Sequence, residues 1–329
     1  MKNPFIVYPR PVSASLNRVR VAMLPAPISD ENLVGKTGYE MLGKQILLNR
    51  IKNRRVALRL PAHLTDVFRA FDECFVHDEP MVRLTAKQVA IQYGRCLATL
   101  LLILKEGHPA NRAARPEWGD EQWAYWQTIN RVWLGGGLMA GHFGQYVLAE
   151  AKQLIKAAGY GQYRLKLTKH PAYMALIGAV STLQPETQCA LAMDFGQSQI
   201  KRAVVLLADG QLQKFHWLRP LPAACGPLMS EGPDLVRAKA HMEHIVSVFG
   251  LTWRQLQTAG WQPQQVVVAM ACNLYQGQPG PTEWGCYGRL QELTPNLQDY
   301  LAAQLEEIMG KPVPFSLMQD ATQIGQNPT

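Results

Sequence analysis

Leu191-Ala192-Met193-Asp194-Phe195-Gly196-Gln197-Ser198-Gln199-Ile200-Lys201 reads as an apolar strand that enters a tight turn and leaves as a second apolar strand. Cys189–Asp194 is the first strand, Ile200–Ala208 the second and Gln211–Trp217 the third, with Asp209-Gly210 as the hairpin turn between the last two. At the first turn, Gly196 permits a backbone that brings main-chain N–H groups to a phosphate oxygen. Ser198 adds a hydroxyl donor, and Asp194 at the strand end suits a Mg²⁺-bound water. Lys201 adds a positive charge near the same spot, or points to solvent. The same residues also suit an ordinary hairpin whose Asp and Ser satisfy only their own turn.

Downstream, the spacing predicts a helix over Asp234–Phe249, a strand over Gln265–Ala271, a Gly/Pro-rich loop and a helix over Leu297–Met309. A last strand, Val313–Met318, ends in Gln319-Asp320. Upstream, Leu84–Gly107 reads as a helix apolar nearly all round, with Thr85 and Gln88 as a capping box and Gly107 as its stop. His108–Trp126 reads as a surface loop whose Trp118, Trp123 and Trp126 line a groove or cover a domain edge. A strand at Arg131–Leu134 leads through Gly135–Gly137 into a helix ending near Ala158. A strand at Tyr163–Leu167, a small-residue helix at Ala172–Leu183 and a polar linker at Gln184–Gln188 follow. Nearer the start, Tyr39–Ile51 is apolar at helical spacing, and Phe5–Tyr8 and Arg18–Leu24 are strand-like. Strands alternating with helices after an opening meander indicate an α/β protein with mixed sheets flanked by helices.

The 329 residues suffice for two domains with cores of their own, and a hydrophobic share of 47% with 18% charged residues describes a globular chain. The longest apolar run, Leu97–Leu104, is too short to span a bilayer, and Pro9 and Pro11 interrupt the start where a secretory signal would need an apolar stretch. The expectation is a cytoplasmic protein without a membrane partner. Six scattered cysteines without a CxxC pair indicate buried free thiols rather than a zinc or disulfide scaffold. The net charge of +8 suits an anionic ligand, but the densest basic group, Arg50–Arg59, lacks interleaved aromatics and reads as a solvated face, so nucleic acid is not expected. His241 and His244 stand at metal-ligand spacing without further ligands, and read as an exposed pair. Val34-Gly35-Lys36-Thr37-Gly38 lacks the earlier glycine of a Walker loop and reads as a turn.

The segment Asp194–Lys201 resembles the first phosphate motif of the actin-like ATPase and sugar-kinase superfamily, ROK-family kinases in particular, which open on a strand and a D-x-G-G-T-x-x-K turn. Asp194, Gly196 and Lys201 match, Ser198 stands for the threonine, and Gln197 for the second glycine. Leu293-Thr294-Pro295-Asn296-Leu297, the following helix and Gln319-Asp320-Ala321 are similar to the ROK stretch ending in Asn-Asp-Ala. Val132 through Gly135-Gly136-Gly137 to Ala140, with Ala175–Ala179, resembles the family's adenosine motif and closing helix. In the family the hairpin comes first and the adenosine motif last; here that order is reversed, as after a circular permutation joined at Gln184–Gln188.

The resemblance, covering roughly Leu84–Asp320, implies a two-lobed, ribonuclease H-like actin fold in permuted order, with lobes at 1–186 and 187–329. It implies ATP with its phosphates on Gly196, Gln197 and Ser198, Lys201 beside them, adenosine on Gly135–Gly137, and Mg²⁺ held through water by Asp194. Asp320 would be the base that deprotonates a sugar hydroxyl, with Gln319 and Asn296 as substrate contacts. The family's second phosphate strand and zinc loop have no counterpart, so the chain is either cut short after Thr329 or has lost part of the site. Sugar phosphorylation and non-catalytic nucleotide or sugar binding both follow, and a homo-oligomer is compatible with either.

Overall fold

The computed structural model describes residues 3–5, 12–64, 66–223, 225, 234–272, 274–275, 277–279 and 286–319. The expected strand at Phe5–Tyr8 and the residues from Asp320 onward therefore lie partly or wholly outside the described residues. The chain divides into two compact units, Met1–Ala172 and Tyr173–Thr329.

In the first unit, α1 (Gly38–Leu42) and α2 (Lys44–Asn53) precede α3 (Val67–Glu73) and the long α4 (Pro80–Glu106). The start of α4 corrects the expected capping box. The helix begins one and a half turns earlier at Pro80, where a missing N–H costs nothing, and Thr85 lies inside it with its hydroxyl bonded back to the Met81 carbonyl at 2.8 Å. Gly107 ends it in the left-handed conformation, φ 59°. α5 (Pro109–Ala113) and α6 (Asp120–Thr128) replace the expected surface loop. Trp118 is buried there against Phe5, which joins the core from more than a hundred residues away, and Trp123 is buried against Trp118. A parallel pair, β1 (Arg131–Leu134) and β2 (Arg164–Leu167), flanks α7 (His142–Ala157), which packs along α4. Arg18–Leu24 forms no strand; Arg20 makes an isolated bridge to Thr37.

The second unit opens on α8 (Met174–Val180), followed by β3 (Cys189–Phe195), β4 (Gln199–Ala208) and β5 (Gln211–Pro222). Next come α9 (Asp234–Thr258), β6 (Gln265–Met270), the short pair β7 (Leu274–Tyr275) and β8 (Gln278–Pro279), α10 (Leu297–Met309) and β9 (Phe315–Gln319). The sheet order is β5-β4-β3-β6-β9, antiparallel from β5 to β3 and parallel from β3 to β9. Alternation along β3 sends Leu191, Met193 and Phe195 into a core with Ile245, Phe249 and Leu256 of α9 and Leu301 of α10. Ala190 and Ala192 face the other way, with Ala203 and Ala269 of neighbouring strands, under Leu176, Ala179 and Val180 of α8. That packing moves the boundary. It lies at Ala172/Tyr173 rather than after residue 186, because the small side chains of α8 complete the second unit's sheet.

The cysteine expectation is also corrected: Cys225 and Cys286 form a disulfide across 61 residues, with Cα atoms 5.7 Å apart. The strand β5 and the 3₁₀ segment Cys286–Glu292 bring them together through the tertiary fold, which no local spacing could show. Cys74, Cys96, Cys189 and Cys272 form no disulfide.

Candidate functional site

Because β3, β6 and β9 are parallel, their carboxyl ends form one edge of the second unit's sheet, where α/β proteins place ligands. Asp194 sits at that edge, in register with Lys201 on β4 and Ala269 on β6. Its carboxylate is nearly inaccessible, and the Lys201 ammonium donates to it at 3.0 Å. Lys201 thus points along the sheet to Asp194, not out to solvent. Burial pushes the Asp194 carboxyl above its ordinary range, and Lys201 opposes that by charge and hydrogen bond.

Beyond Asp194 the chain turns through Gly196, Gln197 and Ser198, with Gln197 and Ser198 exposed. The Gly196 N–H donates to the Gln199 carbonyl at 3.2 Å. Gly196 does not use the left-handed backbone. A side chain there is opposed by contact instead, as a Cβ would stand 3.1 Å from the Gln199 carbonyl oxygen. Both flanks of the turn are tied down: Tyr287 Oη donates to the Gly196 carbonyl at 3.0 Å, and the Ala223 N–H to the Ser198 carbonyl at 3.3 Å. Ala223 is two residues from Cys225 and Tyr287 directly follows Cys286, so the disulfide joins the two segments that hold the turn.

Gln319 ends β9 at the same edge, paired with Met270, one row beyond Asp194 and by alternation on the opposite face of the sheet. Asp320 lies outside the described residues. Asn296 caps α10: its side chain accepts from the Asp299 N–H at 3.2 Å and donates to the Asp299 carboxylate at 2.7 Å. His241 is not exposed. It is buried with its ring 4.7 Å from that of Tyr287, and burial, then the charges of Arg289 and His244, push it down to about 4. Among the described residues no group of three or more His, Cys, Asp or Glu side chains is placed to hold a metal.

The glycine triplet belongs to the first unit. Gly136 has φ 93° and donates its N–H to the Pro171 carbonyl at 2.7 Å, and a Cβ on Gly136 or Gly137 would meet nothing within 4 Å. The backbone there is open to close approach. The helix N-terminus that follows is already occupied: the Asp72 carboxylate accepts from the His142 and Phe143 N–H groups at 3.1 and 2.8 Å. This charged cap satisfies donors that a ligand anion would otherwise use. Asp72→Ala is expected to lower stability by about 1–2 kcal/mol and Asp72→Asn by less, measured by urea unfolding. Equal losses would assign the effect to charge alone. Asp72, Tyr287 and the disulfide have no signal in the chain's local pattern, because each acquires its role from a partner distant in the sequence.

No protein-family model matches the chain, and neither a curated protein nor a solved structure matches it. Among the described residues no helix is long and apolar enough to cross a membrane.

Proposed function

We propose that this chain is a nucleotide-handling α/β protein of the actin-like class, in circularly permuted order, which transfers phosphate from ATP to a sugar-like hydroxyl. The observation that carries the reading is the buried Asp194 at the carboxyl end of the central strand β3, directly before an exposed turn at Gly196–Ser198. A buried carboxylate beside an exposed turn suits a metal–phosphate group. One carboxylate suits Mg²⁺, which keeps most of its waters and takes further oxygens from the nucleotide. Bound there, Mg²⁺ would supply charge neutralisation on the phosphates. This chain's own part is to orient: Asp194 through its pair with Lys201, the turn through Tyr287 and Ala223. In this reading Gly135–Gly137 receive adenosine and Asp320 takes the proton of the acceptor hydroxyl.

A second reading, nucleotide binding without turnover, is favoured by Gln197, an exposed side chain at the turn position where the resembling kinases have their second glycine. Calorimetric titration with Mg-ATP and a phosphorylation assay over a sugar panel separate the readings. The first expects ATP binding weakened roughly tenfold or more by Asp194→Asn, and turnover abolished by Asp320→Asn with ATP affinity retained. ATP binding without transfer to any sugar leaves the second reading. No ATP binding at all sinks both.

A further inference from the structure

In the first unit, a cavity of about 480 Å³ opens between the end of α2, the turn that follows it and the start of α3. Its floor is apolar, formed by Leu48, Ile51, Leu60, Leu64 and Val67, and Lys52, Arg55 and His63 also line it. From Met41 to Val67 the sequence contains Lys44, Arg50, Lys52, Arg54, Arg55 and Arg59 and a single acid, Asp66, whose carboxylate caps α3 by accepting from the Arg69 N–H at 3.1 Å. No carboxylate lines the cavity, and none of the ion pairs among the described residues uses Lys52, Arg55 or His63.

The wall is built rather than incidental. After α2 the chain turns tightly, with Leu58 N–H donating to the Arg54 carbonyl at 2.9 Å and Leu60 N–H to the Arg55 carbonyl at 3.0 Å. Leu58 is buried, anchoring the turn, and Arg59 adopts the left-handed backbone at φ 54°, which a side chain other than glycine or asparagine rarely takes. An ion pair from Arg59 to Glu79 at 3.3 Å directs that cation away to α4's N-terminal flank. The result returns Leu60 and Leu64 over the end of α2. A helix end favours nearby cations through its dipole, which accounts for Arg50 and Lys52 in the last turn of α2 but not for the apolar floor beside them.

We infer that this cavity binds a small amphipathic anion, a single carboxylate or phosphate on an apolar body, with the anionic group between Lys52 and Arg55 and the body against Leu60, Leu64 and Val67. Its volume lies in the range of small-molecule sites, which combine apolar walls with a few placed polar groups. A polyanion such as nucleic acid would use the cations but leave the apolar floor unfilled.

The full chain is titrated with anilinonaphthalene sulfonate, and the bound probe is competed with decanoate, decanol and inorganic phosphate. Decanoate is expected to displace the probe at a concentration roughly tenfold below decanol, with phosphate alone ineffective. Lys52→Gln/Arg55→Gln is expected to remove that preference and leave decanol unchanged, and Leu64→Asp to weaken decanoate and decanol together. Circular dichroism melts confirm that the variants are folded. Equal competition by decanoate and decanol in the wild type, competition by phosphate as strong as by decanoate, or an unchanged preference in the double variant would each overturn the inference.

Discussion

Reducing the Cys225–Cys286 disulfide is expected to destabilise the second unit by about 4 kcal/mol, the chain-entropy value for a closed loop of this length. The bond closes a 61-residue separation that includes α9, β6, β7 and β8, so the reduced chain regains a large conformational freedom when unfolded. For a domain of this size that corresponds to a melting point lower by roughly 8–16 °C. The effect on the folded state is local. Cys286 positions Tyr287, and the segment before Cys225 donates to the Ser198 carbonyl, so loss of the bond loosens both ties on the Gly196–Ser198 turn. Thermal melts of the oxidised protein and of Cys225→Ser/Cys286→Ser measure the first effect. Hydrogen exchange at the 196–198 turn measures the second. Alkylation of both cysteines in protein isolated under trapping conditions would show that the pair is held reduced in the cell, as a reducing cytoplasm would keep it.

Lys201→Met is expected to cost about 3 kcal/mol, because it leaves the Asp194 carboxylate buried without its partner. Asp194→Asn/Lys201→Met is expected to recover most of that loss, since it removes the stranded charge. The deficit of Lys201→Met depends on pH in a definite direction. Burial holds Asp194 above its ordinary value of 3.8, and Lys201 opposes it, so removing Lys201 raises the folded-state value further. A raised folded-state value means that stability falls as pH rises through it. The variant's deficit is therefore small in acid, opens as pH passes the wild-type value and is complete above the variant's higher one. Urea unfolding across the acid range checks this. A deficit that does not change with pH, or a double variant no more stable than Lys201→Met, would remove the buried pair from the account of this site.

Much of the second unit was legible in the chain. The strands at Cys189, Gln199 and Gln265 and the helix Leu297–Met309 follow the apolar pattern closely, because period-two and period-3.6 burial act within a few residues. The turn at Gly196 with Asp194 before it was legible too, whereas the direction of Lys201 was open until the strand register set it opposite Asp194. His108–Trp126 was misread because its aromatics are polar-flanked and Pro-containing, and only Phe5 and the end of α4 show that they are core. His241 was misread because its burial comes from Tyr287.

An apolar strand ending in Asp194, a glycine turn and a second apolar strand are written in the chain itself. Local alternation and chain connectivity dictate that geometry without help from the rest of the molecule. What surrounds that hairpin comes from the packing of distant segments. That packing placed α8 on the second unit's sheet, joined Cys225 to Cys286 around the turn, and set Asp72 on the N-terminus of α7. These are contacts between segments far apart in sequence. Their formation depends on how whole layers pack, and a single strand's pattern carries no record of the partner it will meet.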